Sequence, residues 1–299
     1  METRMYWQHA LTPLHVGVGR GIGFIDLPII REKLTNWPYV PGSAVKGVLA
    51  DHHEATEDAR EVGPLLGAAF GRSKDPEKTS AGSLVFTDAR LVCLPVRSLY
   101  GTFAWTTCPM ALGRLARDLN RAALPDIPGI PREPPERGLV VPNVQHSQLV
   151  ADGDVFFEDL DLSAEEQADA AAWADKLAGW VFEDGWQSLF QQRFAVVADD
   201  VFTFLCQTAT EVNARVKIAE KTKTVEHGAL WYEEAIPAET ILAGYVWCDR
   251  VYVKGVQEPQ LWGAFCKPDC PLTLQMGGDA TTGKGRVESR FTNGGTTNA

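Results

Sequence analysis

The segment YVPGSAVKGVLA, residues 39–50, decides the class of fold because it joins a short extended piece to a helix through a tight turn. A proline followed by a glycine, at Pro41 and Gly42, interrupts regular structure. Ser43 is the residue type expected at the N-cap of the helix. The apolar residues beyond the turn recur at helical spacing, and they are Val45, Val48 and Leu49.

The same helix start has a chemical use. Lys46 lies in its first turn, beside Ser43. Free backbone N–H groups at a helix N-terminus attract anions, and a nearby lysine adds charge. The pattern fits a phosphate site, and it equally fits an ordinary capped helix with a solvated lysine.

Outward from this segment, strands and helices alternate in both orders. Strand patterns cover 6–14, 83–94, 201–205, 241–253 and 272–276, and helical patterns cover 108–119, 163–192 and 258–266. Ser163 followed by Glu166 fits a capping box, which favours one long helix over 163–192. The alternation predicts an α+β fold with helices on one side of a sheet, a ferredoxin-like or RNA-recognition (RRM-like) arrangement.

No linker long enough to separate two domains is present, so residues 1–299 are predicted to form one domain. Two excursions interrupt it. Residues 120–192 are predicted to be an inserted, proline-rich connection followed by the long helix, and the polar and basic residues 209–237 a protruding β-hairpin.

Composition narrows the function. A hydrophobic content of 45% suits a soluble globular chain, and no apolar run approaches the roughly 20 residues of a membrane helix. The N-terminus lacks the apolar core of a signal peptide, so the protein is expected in the cytoplasm without a membrane partner.

The net charge of −11 argues against nucleic-acid binding unless cations are locally clustered, as they are over 215–223. The six cysteines are scattered and predict neither disulfides nor a zinc site.

Two glycine-rich loops stand out. The first is HVGVGRGIGFIDLPIIR, residues 15–31, and the second is QMGGDATTGKGRV, residues 275–287. Glycines allow backbone amides to approach a ligand closely, which favours phosphate binding, although a plain turn explains the second loop about as well. In the second loop a glycine follows Lys284 where a nucleotide-binding P-loop requires serine or threonine.

Two aromatic segments complete the set. RSLYGTFAWTTCPMAL, residues 97–112, interleaves aromatic and small polar residues before a helix. In GALWYEEAIP, residues 228–237, Tyr232 could stack on a base, and Glu233 or Glu234 could act as a base or metal ligand. The plainer interpretation of residues 97–112 is core packing, and that of Glu233 and Glu234 is a solvated acidic pair.

Taken together, with their order and spacing along the chain, four of these segments resemble the RAMP superfamily of CRISPR proteins, and they are residues 39–50, 97–112, 228–237 and 275–287. The PGS-x-x-KG helix start and the C-terminal glycine-rich loop are similar to superfamily features. The GTFAW-x-TCP and YEE-x-IP segments look like the backbone subunit of the type III-B, or Cmr, effector complex. The resemblance extends from about residue 15 to residue 287.

The resemblance implies a modified ferredoxin-like palm with inserted finger segments and a β-hairpin thumb over 209–237. It implies copies stacked along a guide RNA (crRNA) in a helical filament, together with other type III effector subunits. Each thumb would distort the guide–target duplex, and target RNA would be cut at regular intervals with Mg²⁺ or Mn²⁺, in antiviral defence.

The resemblance assigns catalysis and metal binding to Asp26, with His15 as a second catalytic residue and Glu233 as a further candidate. One aspartate can hold a hydrated hard cation, and histidine can move a proton near neutral pH. Where the family often carries an aromatic residue after the acidic pair, this chain has Ala235. The implied RNA contacts are Ser43, Lys46, Tyr232, Gly277, Gly278, Thr281, Thr282, Gly283, Lys284 and Gly285.

Three alternatives stay open at the level of sequence. The chain could be a non-catalytic crRNA-binding scaffold of a type III-A or III-B complex, or the equivalent catalytic subunit of type III-A. It could also be a metal-independent RAMP nuclease that trims guide precursors. That last activity needs a histidine-centred acid–base pair, and only His15 is well placed for one.

Overall fold

The structure is a computed structural model, and it describes residues 2–19, 21, 23–55, 59–71, 81–183, 185–219, 223–268 and 270–292. The ends of the predicted domain, residue 1 and residues 293–299, and residues 220–222 of the basic stretch lie outside these ranges. Within them, no helix is long and apolar enough to cross a membrane.

The fold is mixed α+β, which confirms the predicted class, but helices pack on both faces of the sheet and not on one side as predicted. The helices are α1 (Gly42–Ala55), α2 (Ala59–Phe70), α3 (Pro109–Arg121), α4 (Ala168–Val181), α5 (Trp186–Arg193), α6 (Asp199–Thr208) and α7 (Glu258–Phe265). The first strands are β1 (Thr3–Ala10), β2 (Tyr39–Val40), β3 (Leu84–Phe86), β4 (Ala89–Arg97) and β5 (Phe103–Thr107). Next come β6 (Gly138–Val141), β7 (Asp154–Phe157), β8 (Leu160–Glu166) and β9 (Phe194–Val197). The last are β10 (Glu211–Ile218), β11 (Val225–Ala235), β12 (Ile241–Cys248), β13 (Leu272–Gln275) and β14 (Arg286–Thr292).

A ferredoxin-like palm lies at one end of the large sheet. Its strands follow the order β14-β1-β12-β3, and all three pairings are antiparallel. Helix α1 lies between β1 and β3 in the chain, and α7 lies between β12 and β14. This is the β-α-β-β-α-β pattern, with a long insertion in place of the hairpin between its second and third strands.

The central strand β1 is buried on both faces. Tyr6 packs in the cluster under α1 and α7, with Leu49 and Trp262. Met5 and Trp7 point the other way, into a second cluster formed with α3, α4 and α5. Successive side chains of a strand alternate between faces, so the single run of apolar residues in β1 serves two cores.

The insertion differs from the sequence prediction in two places. The helix predicted over 163–192 is wrong at its start, because residues 163–166 belong to strand β8. Leu162 of this strand is buried while its neighbours Asp161 and Ser163 are exposed, which is the alternation typical of a strand. The helical remainder is broken at Gly185, where φ is +90°. Hence the described residues of 120–192 form the three strands β6, β7 and β8 and the two shorter helices α4 and α5, and the segment is not a simple connection.

The capping box and one strand also need correction. Ser163 Oγ donates to Asp154, and Glu166 accepts from the backbone N–H of Val144, so neither caps a helix. The strand predicted over 201–205 is wrong, since these residues lie in α6 (Asp199–Thr208). The buried positions in this helix follow helical spacing, and they are Phe202, Leu205 and Cys206.

Strands β10 and β11 form a separate antiparallel two-stranded sheet, with a register shift between Val216 and Ile218. One face of this β10–β11 hairpin carries exposed apolar side chains, including Val212 and Tyr232. The last residues of β11 run past the first glycine-rich loop, and this meeting point builds the candidate site.

Candidate active site at the edge of β11

The first glycine-rich loop folds back on itself. Gly17 pairs with Ile29 in an antiparallel bridge, and Ile30 N–H donates to the Val16 carbonyl at 2.8 Å. The returning segment then runs alongside β11, where Leu27 N–H donates to the Tyr232 carbonyl at 3.0 Å. The loop is therefore held by strand-like hydrogen bonds at both its base and its returning limb.

The edge of β11 away from β10 can bond the loop because the backbone N–H and C=O groups of successive strand residues point to alternate edges. Residues 231–235 of β11 all lie in antiparallel register with β10. The amide and carbonyl groups of Tyr232 and Glu234 project from the other edge, where both bond Leu27. Each of these two residues also anchors one of the candidate catalytic side chains.

Asp26 is anchored at Tyr232. Its Oδ2 accepts a hydrogen bond from the Tyr232 backbone N–H at 2.8 Å, and the residue is exposed. Its own carbonyl accepts from Gly21 N–H at 2.9 Å. The backbone thus fixes one carboxylate oxygen while the side chain stays open to solvent.

His15 is anchored at Glu234. Its Nδ1 lies 2.6 Å from the Glu234 carbonyl oxygen, which can only accept, so Nδ1 carries the proton and Nε2 is left as the acceptor in the neutral ring. A Cβ added at Gly17 would lie 2.6 Å from Nε2. Glycine at position 17 therefore keeps the space beside Nε2 clear.

The edge of β11 sets the separation of the two groups. Tyr232 and Glu234 are two residues apart on one strand, and a strand advances about 3.3 Å per residue, so the anchors lie about 7 Å apart. A carboxylate and an imidazole thus face the same side of one strand. They could act on a single phosphodiester as a hard oxygen ligand and a proton acceptor.

Glu233 is brought to the same strand but is already engaged. Its Oε2 accepts from Lys284 Nζ at 2.9 Å and from Arg215 Nε at 3.0 Å, and its Oε1 accepts from Trp231 Nε1 at 3.0 Å. Burial tends to raise the pKa of Glu233, but these hydrogen bonds outweigh it and lower the pKa to about 2. Such a carboxylate is ionised at neutral pH and is a poor proton acceptor.

Glu234 and Arg31 hold the base of the loop, a role that the sequence alone did not indicate. Glu234 Oε1 accepts from Arg31 Nη2 at 2.5 Å, and its Oε2 accepts from Ile29 N–H at 3.1 Å. Thr210 also donates to Oε1, at 2.9 Å. The signal available in the sequence was the alternation of β11, which places the two adjacent glutamates on opposite faces.

The second glycine-rich loop packs against His15. Gly278 N–H donates to the His15 carbonyl at 2.9 Å. Gly277 has a φ of +77°, and a Cβ added to it would lie only 2.3 Å from the same carbonyl oxygen. Lys284 and Gly285 are buried, so these two predicted RNA contacts face the protein. The predicted RNA contacts that remain exposed in this loop are Gly277, Gly278, Thr281, Thr282 and Gly283.

Ser43 and Lys46 occupy a different element. Helix α1 begins at Gly42, so Ser43 is its second residue and not its N-cap, and Asp88 accepts the Gly42 N–H at 2.8 Å. Ser43 is exposed, whereas half-buried Lys46 donates to the Leu84 carbonyl at 2.9 Å. Burial lowers the pKa of Lys46. The site at β11 thus unites both catalytic candidates, Tyr232, Glu233 and the second loop, but not α1.

The donor set fits a weakly held cation. In the ranges that the structure describes, no three His, Cys, Asp or Glu side chains are grouped to hold a metal ion. Asp26 offers one exposed carboxylate, whereas the carboxylate of Glu233 already accepts hydrogen bonds from Lys284, Arg215 and Trp231. Mg²⁺ keeps several waters and is commonly bound by one or two carboxylates plus substrate phosphates. Asp26 therefore suits a hydrated divalent ion that binds together with RNA.

Comparison with known proteins supplies the family. Residues 9–288 match the RAMP superfamily. A CRISPR system Cmr endoribonuclease, Cmr4 of Pyrococcus furiosus, is 31% identical over 100% of both chains. The CMR subunit Cmr4 of Saccharolobus solfataricus is 25% identical over 95% of this chain and 94% of its own.

Solved structures share the fold. The crystal structure of oligomeric Cmr4 from Pyrococcus furiosus superimposes with a TM-score of 0.74 at 23% identity, covering 98% of this chain and 99% of that one. A chain of a type III-B Cmr-beta complex bound to cognate target RNA gives a TM-score of 0.71 at 20% identity, with 97% of each chain covered. The family match spans nearly the whole sequence and the fold agrees, so this chain belongs to the RAMP superfamily.

Proposed function

We propose that this chain is the guide-RNA-binding backbone subunit of a type III-B CRISPR effector complex and that it cuts the target RNA paired with the guide. The observation that carries the proposal is the joint anchoring of Asp26 and His15 on one edge of β11. The full-length relative named a Cmr endoribonuclease supports the reaction class. The oligomeric and target-bound relatives support partnership with further copies, other subunits and RNA.

The chemistry follows from the geometry of the two side chains. In the free ring, His15 Nε2 has no hydrogen-bond partner among the described residues, so it can accept the proton of a ribose 2′-OH. The 2′-oxygen then bonds to phosphorus as the bond to the 5′-oxygen breaks. This leaves a 2′,3′-cyclic phosphate and, after proton transfer from water, a 5′-OH.

Asp26 contributes charge and position. Its anchored carboxylate is open to solvent and can hold a hydrated Mg²⁺ or Mn²⁺ against the scissile phosphate. The ion would neutralise charge that develops on the phosphate oxygens. Because the reacting groups must be in line, we expect cutting only where the guide–target duplex presents a distorted nucleotide to this edge.

The β10–β11 hairpin is suited to create that distortion. Tyr232 is 41% exposed on its apolar face, directly beside the amide that holds Asp26. A base stacked on an aromatic side chain gains about 1–3 kcal/mol without regard to sequence. Sequence would be read by pairing between guide and target, as in other RNA-guided systems.

The test is cleavage by the reconstituted complex. A labelled target matching the guide, or a scrambled target, is incubated with Mg²⁺, Mn²⁺ or a chelator. The proposal predicts regularly spaced products ending in cyclic phosphate, formed only from the matched target and only with the ion. Products that are independent of the guide, or unchanged by the chelator, would contradict it.

A further inference from the structure

Lys284 is the feature of the second glycine-rich loop that RNA binding does not explain. Its side chain is only 6% exposed, and its Nζ lies 2.9 Å from Glu233 Oε2 and 3.6 Å from Asp279 Oδ2. A lysine that reads a phosphate must present its ammonium group to solvent or to the ligand. This ammonium group points into the protein.

Charged side chains of both signs surround Lys284. Lys284 and Arg215 are the cations, and Glu233 and Asp279 are the anions that they contact. Glu211, which faces Lys284 from β10, has a pKa raised by burial. The group joins the second loop to β10 and β11, the two strands of the hairpin.

Glu233 is the residue between the two anchors. Tyr232, on one side, holds the Asp26 carboxylate, and Glu234, on the other, holds the His15 ring. A force on the Glu233 side chain therefore acts at the centre of the segment that sets the separation of the catalytic pair. Lys284 makes its contact at this point.

The loop that carries Lys284 also holds the backbone of the His15 turn. Gly278 N–H donates to the His15 carbonyl and Gly285 N–H donates to the Pro13 carbonyl, each at 2.9 Å. The loop itself is closed by Lys284 N–H donating to the Asp279 carbonyl at 3.3 Å. One short loop thus contacts His15 through its backbone and β11 through the lysine side chain.

We propose that Lys284 is a positioning residue, which ties the loop 277–285 to β11 through Glu233 and thereby fixes His15 relative to Asp26. The inference rests on the proposed function, because it assumes that this pair performs the cleavage. It assigns Glu233 the same positioning role, and it removes Lys284 from the surface that contacts RNA.

Two readouts separate positioning from phosphate binding. The first is the single-turnover cleavage rate at saturating target, and the second is the salt dependence of target affinity. Each phosphate contact contributes about −0.7 to −0.9 to the slope of log K against log salt concentration. Loss of a positioning residue lowers the rate and leaves this slope unchanged, whereas loss of a phosphate contact makes the slope shallower.

The variants are Lys284→Met, Glu233→Gln, their double, and Lys284→Arg, all in the reconstituted complex. Lys254→Met serves as the matched control, because Lys254 is an exposed lysine between β12 and α7, outside the hairpin and both glycine-rich loops. We expect Lys284→Met to cut roughly 100-fold more slowly, as for a displacement of about 1 Å, with wild-type salt slope. Lys284→Arg should restore part of the rate, and the double variant should be no slower than the worse single variant.

The double variant also guards against misfolding, since it leaves no unpaired buried charge from the Lys284–Glu233 pair. A shallower salt slope for Lys284→Met, or a wild-type cleavage rate for both Lys284→Met and the double variant, would overturn the inference. Asp26→Asn is measured in parallel. If it cuts at the wild-type rate, the proposed function itself fails; if it is inactive while Lys284→Met is fully active, only the positioning role fails.

Discussion

Replacing Gly277 by alanine should move His15 and slow target cleavage. Gly277 has φ of +77°, a region that costs a residue with a Cβ roughly 1–2 kcal/mol. The new Cβ would lie 2.3 Å from the His15 carbonyl oxygen, and ordinary contact begins near 3.4 Å. The two atoms must therefore separate by about 1 Å, and a misplacement of that size can reduce a catalytic rate by about 100-fold.

The neighbouring glycine supplies the control. Gly278 does not have a positive φ of this kind, and its added Cβ would meet the nearest atom, Cδ2 of the His15 ring, at 3.5 Å. Gly278→Ala should therefore cut at close to the wild-type rate. The assay is single-turnover cleavage of a matched target at saturating concentration, with urea denaturation of the isolated chain to measure the loss of stability.

Equal rates for Gly277→Ala and Gly278→Ala would refute the reasoning, because the two substitutions differ in strain and not in chemistry. A slow Gly277→Ala with normal target affinity would show that the second loop acts on His15. If Gly277→Ala lost target affinity and kept its rate at saturation, the loop would serve RNA binding instead.

Three further outcomes follow from the same contacts. Arg31→Met leaves the buried carboxylate of Glu234 without its cation and should lower the free energy of unfolding by about 3–5 kcal/mol. Adding Glu234→Leu to the same chain should recover part of this loss of stability. Urea denaturation measures both effects. Tyr232→Ala removes an exposed ring and should weaken binding of target by the complex by about 1–3 kcal/mol per stacked base, without changing the unfolding midpoint. Because the pKa of Glu233 is lowered from 4.5 to about 2, its contribution to stability is present above pH 4.5 and is lost as the pH falls towards 2. Glu233→Gln should flatten that part of the acid-unfolding curve followed by circular dichroism.

The α+β class and most of the local structure could be predicted from sequence, because helices such as α3 and α7 have caps and apolar faces of regular period. Cys108 accepts the Ala111 N–H at the start of α3, and Gln257 forms a capping box with Gln260 in α7. The order of the palm strands was beyond this reasoning. Strand β1 pairs with β12 and β14, partners more than 200 residues away, and no local pattern specifies such a pairing.

The candidate site was likewise only partly predictable from the sequence. Asp26 and His15 could be singled out by resemblance, but their anchors on β11 lie 206 and 219 residues further along the chain. The pairing of Lys284 with Glu233 joins residues that are 51 positions apart, and lysine in a glycine-rich loop more readily suggests a phosphate contact. The direction of a side chain at such a position depends on the packing of segments that meet only in the folded protein.

The central claim is that this chain itself cuts RNA through Asp26, and the most direct test compares Asp26→Asn with Asp161→Asn, a substitution of an exposed aspartate on β8. Each variant is assembled with guide and the other subunits, and both target affinity and single-turnover cleavage are measured. The account predicts that Asp26→Asn binds target normally and makes no regularly spaced products, while Asp161→Asn cuts like the wild type. Undiminished cutting by Asp26→Asn would make this chain a scaffold and place the nuclease in another subunit.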